Sequence, residues 1–127
     1  LCYSSRLWAD WSPGYDASSD TPTVKQALGL PENLAAAIGY YRAMISGGPP
    51  DDPESAAAQA AGGGILRQPT LYLHGGSDGC IGVETIGPVR DFLGPGSEAT
   101  VVEGAGHFLH LEQPDEVNDR IIRFVTG

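Results

Sequence analysis

The chain has 127 residues, 41% of them hydrophobic, and a net charge of −9, which suits one folded domain or part of a larger one. Two acidic clusters, Asp51/Asp52/Glu54 and Asp115/Glu116/Asp119, repel phosphate backbones and anionic lipid and so argue against nucleic-acid or membrane binding. No basic leader or long apolar run marks a signal peptide or membrane span, and Cys2 and Cys80 give neither a disulfide framework nor metal-ligand spacing, so a reduced, cytoplasmic setting without metal or other cofactor is expected.

Residues 1–23 hold Trp8, Trp11, Pro13, Gly14 and Tyr15 and read as an irregular aromatic segment with a turn at Ser12-Pro13-Gly14. Thr21 is placed to cap a short helix over 22–28, with Pro22 at its first position. A longer helix is expected from Pro31 to Ile45, because Leu34, Ile38, Tyr41 and Ile45 share one face and three alanines raise its propensity. Ser46-Gly47-Gly48-Pro49-Pro50 ends it, and alanine-rich 53–61 predicts a weak helix before the hinge Gly62-Gly63-Gly64.

The pattern then changes. Residues 69–74 predict a buried strand and 75–79 a loop. Val83 to Leu93 predicts a helix in which Gly87-Pro88 imposes a kink or a late start. Residues 99–103 predict a second strand. Pro114 to Val125 predicts a final helix with Asp115 and Glu116 at its positive end and Val117, Ile121, Phe124 and Val125 as its apolar face. Strand, helix, strand, helix is the signature of a parallel sheet in an α/β fold. Two strands are too few to form such a sheet alone. Residues 65–127 are therefore expected to be one end of a larger sheet, with 1–64 as a separate region.

Asp78 follows the first strand and His107 follows the second, on the turn Gly104-Ala105-Gly106-His107. Loops after parallel strands emerge on one edge of the sheet, so carboxylate and imidazole can meet there. An acid so placed holds a histidine in one tautomer and stabilises its protonated form. Alternatively, Asp78 caps a turn and His107 packs under the last helix.

The segments Pro69-Thr70-Leu71-Tyr72-Leu73-His74-Gly75-Gly76-Ser77-Asp78-Gly79 and Gly104-Ala105-Gly106-His107-Phe108-Leu109-His110-Leu111-Glu112-Gln113-Pro114 resemble the C-terminal end of the α/β-hydrolase fold, nearest its epoxide hydrolase and haloalkane dehalogenase branch. The resemblance covers residues 65–127. It implies that Asp78 and His107 are the acid and histidine of a catalytic triad acting on a small, largely apolar substrate. It also implies that residues 1–64 form a helical cap. Tyr40-Tyr41-Arg42 is similar to the Trp-Tyr-Arg of epoxide hydrolase caps, which makes Tyr41, with Tyr40 beside it, a candidate donor to an epoxide oxygen. Epoxide is accordingly favoured, with ester or haloalkane as alternatives. Core packing is the competing role for Tyr41.

Gly75-Gly76-Ser77-Asp78-Gly79 formally fits the Gly-x-Ser-x-Gly of a nucleophile elbow, which would make Ser77 the nucleophile and Asp91 a third member. Against this, Cys80-Ile81-Gly82 delays the helix that an elbow enters directly, and the resemblance assigns the acid to Asp78. Neither an elbow nor an oxyanion-hole motif falls between Leu1 and Gly64. The nucleophile, aspartate or serine, is thus expected outside this chain. The chain alone is expected to be inactive, as a truncated product or as a module that self-associates or pairs with a complementing N-terminal segment. His74, at a strand end, and His110, beyond the histidine turn, are candidates for the surroundings of the site rather than for metal binding.

Overall fold

A computed structural model describes residues 2–47 and 50–127. The contacts divide them into two compact units, Ala17–Gly64 and the combination of Cys2–Asp16 with Ile65–Gly127. The break at residue 64 is thus one boundary of the division. The first fifteen described residues belong by their contacts with the C-terminal segment.

The unit Ala17–Gly64 is helical. Numbered in chain order after α1 (Cys2–Trp11), its helices are α2 (Thr21–Ala27), α3 (Pro31–Ser46) and α4 (Pro53–Gly62), each with proline in its first turn, where the missing N–H costs nothing. Helix α2 begins one residue earlier than expected. Asp20 rather than Thr21 precedes it, and its side chain makes no capping hydrogen bond. Asp52 does cap α4, accepting from the Ser55 amide at 2.8 Å. Hydrogen bonding to Ser55 holds its carboxyl below the usual carboxylate range. The expected apolar face of α3 is present, but Leu34, Ile38, Tyr41 and Ile45 are all exposed and the helix buries no residue.

The other unit carries the sheet. Strands β1 (Leu71–Gly75) and β2 (Glu98–Val102) pair in parallel, with Leu71 opposite Glu98 and Gly75 opposite Val102. Between them a 3₁₀ turn over Val83–Thr85 leads into α5 (Ile86–Arg90), the late start that Gly87-Pro88 predicts. After β2 come a short helix α6 (Leu109–Glu112), not expected from the sequence, and α7 (Pro114–Thr126). Val102, Ala105 and Val117 form the buried core, with Leu73 and Leu109 packed against it. Of the expected α7 face, Val117 is buried and Phe124 half-buried, while Ile121 and Val125 are exposed. Glu116 and Arg120 pair along its flank at 2.6 Å.

The irregular reading of the N-terminal segment is corrected by α1, which continues to Trp11 before the chain turns at Ser12-Pro13-Gly14. Tertiary contact explains the helix better than local propensity does. Trp8, 8% exposed, stacks on Phe108 with ring centroids 4.0 Å apart and on Tyr15 at 5.9 Å. Burial of a tryptophan against a second aromatic ring is one of the larger packing gains open to so small a core.

Candidate active site

Because β1 and β2 run parallel and in register, the loops that follow them leave the same edge of the sheet. Gly75, the last residue of β1, permits their close approach, since a Cβ there would collide with the Gly106 carbonyl. Gly104 takes a φ of +72°, a left-handed conformation that suits glycine and turns the chain back over the strand end. Backbone hydrogen bonds then join the loops. The Gly76 amide donates to the Val102 carbonyl at 2.9 Å, and the Ser77 amide donates to the Ala105 carbonyl at 2.8 Å.

Asp78 and His107 meet there. His107 Nδ1 lies 2.9 Å from Asp78 Oδ2. The side chain of Asp78 is 6% exposed and that of His107 27%, so the acid is shielded while the imidazole keeps access to solvent. Asp78 Oδ1 accepts from the amides of Cys80 and Ile81 at 2.8 and 2.9 Å. Burial pushes the Asp78 carboxyl up. The Ile81 amide, the His107 ring, the Cys80 amide and the His107 charge together outweigh that push and leave it below the usual carboxylate range. An ionised carboxylate only accepts, so the proton between the two residues sits on Nδ1. Nε2 is then the basic nitrogen.

This geometry has a consequence for acid stability. The unfolded chain takes up the Asp78 proton at about pH 4, whereas the folded chain resists it to lower pH. The stabilisation is therefore complete above that range and is lost as pH falls through the lowered folded value. Melting temperature followed from pH 6 to pH 2 should drop more steeply in the wild-type chain than in Asp78→Asn. Parallel curves would contradict the pairing.

His74 lies beneath the acid loop, 4% exposed. Its Nε2 is 3.0 Å from the Ile81 carbonyl and its Nδ1 is 2.8 Å from the Tyr72 hydroxyl. A carbonyl only accepts, so Nε2 carries the proton and Nδ1 receives the tyrosine hydrogen bond. His74 Nε2 is 3.9 Å from Asp78 Oδ2, beyond hydrogen-bond range. Its structural contribution is to hold Ile81, whose amide in turn holds Asp78. His110 is exposed on α6. Tyr40 and Tyr41 lie on α3 in the other unit, 70% and 52% exposed, with their rings edge to face.

Ser77 is exposed and joins the site through its amide, and its hydroxyl makes no described hydrogen bond to His107. No non-glycine residue has positive φ among the described residues, so the strained backbone of a nucleophile elbow is not present at Ser77. Cys80 is exposed, and desolvation together with the charge of Asp78 pushes its thiol up, the direction that makes a thiol a poorer nucleophile. No three or more His, Cys, Asp or Glu side chains among the described residues are grouped to hold a metal ion. A cavity of about 280 Å³ is lined by Leu71, Glu98, Arg120, Arg123 and Phe124. It sits where the strands begin and contains neither member of the pair.

The sequence reading missed the supports of the histidine turn. The Trp11 carbonyl accepts from the amides of both Gly79 and His107 at 3.0 Å, tying the acid loop to the histidine turn. The Trp11 ring meets the His107 ring edge-on at 4.9 Å. Ser12 and Glu112 hold the residues flanking the histidine. The available signal was Glu112, an acidic residue close behind a glycine-flanked histidine, but Ser12 is distant in sequence and nothing local marks it.

No family model matches the chain. Carboxylesterase YbfK of Bacillus subtilis (strain 168) is 51% identical over 35 residues, which make up 28% of this chain and 12% of that protein. A protein of Haemophilus influenzae (strain ATCC 51907 / DSM 11121 / KW20 / Rd), provisionally described as an esterase/lipase, is 34% identical over 58 residues, or 46% of this chain and 20% of that protein. The matches thus span a small part of each relative. The chain is similar over these short stretches to proteins of the esterase and lipase kind, on a mixed helix–strand framework with a parallel two-stranded sheet.

Proposed function

We propose that Asp78 and His107 are the acid and base of an ester-hydrolysing site at the C-terminal ends of β1 and β2 of an α/β-hydrolase fold. The observation that carries this reading is the 2.9 Å contact between His107 Nδ1 and a shielded, amide-held Asp78 carboxylate. The similarity to esterases supports the substrate class. Nε2 takes the proton from a serine hydroxyl as the oxygen attacks the ester carbonyl. The resulting imidazolium, stabilised by Asp78, returns that proton to the departing alcohol. Water activated by the same nitrogen then releases the acid from the acyl enzyme. The serine, the oxyanion-hole amides and further strands beside β1 come from sequence outside residues 1–127, either contiguous with it or supplied by a complementing segment. An epoxide reading would rest on Tyr41 alone, and the matched proteins give it no support.

Hydrolysis of p-nitrophenyl butyrate tests this reading. Residues 1–127 alone should show no turnover above buffer, whereas the intact encoded protein should hydrolyse the ester. Turnover by the isolated chain would contradict an external nucleophile. An intact protein that opens epoxides but leaves esters untouched would contradict the substrate class.

A further inference from the structure

Resting on the reading of Asp78 and His107 as acid and base, we propose that Ser12 and Glu112 are positioning residues that fix the His107 ring in register with Asp78. The amides on either side of the histidine both end on the Glu112 carboxylate. Gly106 donates to Oε2 at 2.7 Å and Phe108 donates to Oε1 at 3.1 Å. The amide of His107 itself ends on the Trp11 carbonyl at 3.0 Å. All three consecutive amides are therefore held, two by one side chain and one by the last residue of α1.

Ser12 aims that side chain. It is fully buried, its hydroxyl donates to Glu112 Oε1 at 2.7 Å, and its Oγ accepts from the Phe108 amide at 3.2 Å. The carboxylate thus receives three donors, a task that uses both of its oxygens. A glutamine keeps the shape but turns one oxygen into an NH₂ group that must face a donor. The backbone from 106 to 108 determines where the imidazole leaves the chain, and Nδ1 has one carboxylate oxygen to find. A shift of about 1 Å in such a ring costs on the order of 10²-fold in rate.

Long-range proton–nitrogen NMR of the histidine rings tests this in the 127-residue chain. Wild-type His107 should show a single Nδ1–H tautomer that is lost in Asp78→Asn. In Glu112→Gln and in Ser12→Ala, His107 should become a mixture of tautomers while the buried His74 keeps its wild-type signals. An unchanged His107 in both variants overturns the positioning role. So does simultaneous loss of the His74 and His107 signals in both, since the brace would then serve the fold as a whole. A wild-type His107 without the Asp78-dependent tautomer would instead sink the acid–base pair. In the intact encoded protein, Glu112→Gln should lower kcat for p-nitrophenyl butyrate by about 10²-fold with KM unchanged.

Discussion

Replacing His107 with alanine should lower kcat for p-nitrophenyl butyrate in the intact encoded protein by about 10⁶-fold, the order seen when a triad histidine is removed. The imidazole is the group placed to accept a proton beside Asp78, 27% exposed on a turn whose neighbouring amides are fixed. On the proposed reading, its loss removes both the base for attack and the acid for departure of the alcohol. KM should change little, because a general base as proposed serves the transition state rather than ground-state binding. Steady-state kinetics with a melting curve as control checks this. A loss confined to KM, or one explained by unfolding, would contradict a base at His107.

Asp78→Asn should lower kcat by about 10⁴-fold, since an amide no longer stabilises the imidazolium and can select the wrong tautomer. The two backbone donors, Cys80 and Ile81 at 2.8 and 2.9 Å, can still bond the asparagine carbonyl oxygen, so the loop should keep its shape. The NH₂ group then faces His107 Nδ1, where a donor is met by a donor. The effect is chemical rather than structural, and an unchanged fold by circular dichroism should accompany the lost rate. A variant that loses rate only through unfolding would point to a merely structural carboxylate.

The meeting of Asp78 with His107 is legible in the sequence, because both residues follow parallel strands and parallel strands deliver their loops to one edge. β1, β2 and α7 announce themselves by apolar runs, glycine turns and a proline with acidic residues at a helix start. The supports are illegible for a physical reason. Ser12 and the Trp11 carbonyl reach the histidine turn through hydrogen bonds spanning 96 residues of sequence, and a backbone carbonyl has no residue-type signature. Helix α1 is hidden in the same way, since stacking of Trp8 on Phe108 stabilises a segment whose local composition suggests a loop. Helix α3 shows the opposite failure. Its periodicity is real, yet Leu34, Ile38, Tyr41 and Ile45 remain exposed, because a pattern states which face is apolar and not what covers it.

The most direct measurement compares Ser77→Ala with Asp78→Asn side by side, in the intact encoded protein hydrolysing p-nitrophenyl butyrate. The two residues are adjacent, and only Asp78 is hydrogen-bonded to His107. Retained activity in Ser77→Ala with a loss of about 10⁴-fold in Asp78→Asn is the predicted result. Loss in the serine variant with retention in the aspartate variant would contradict it.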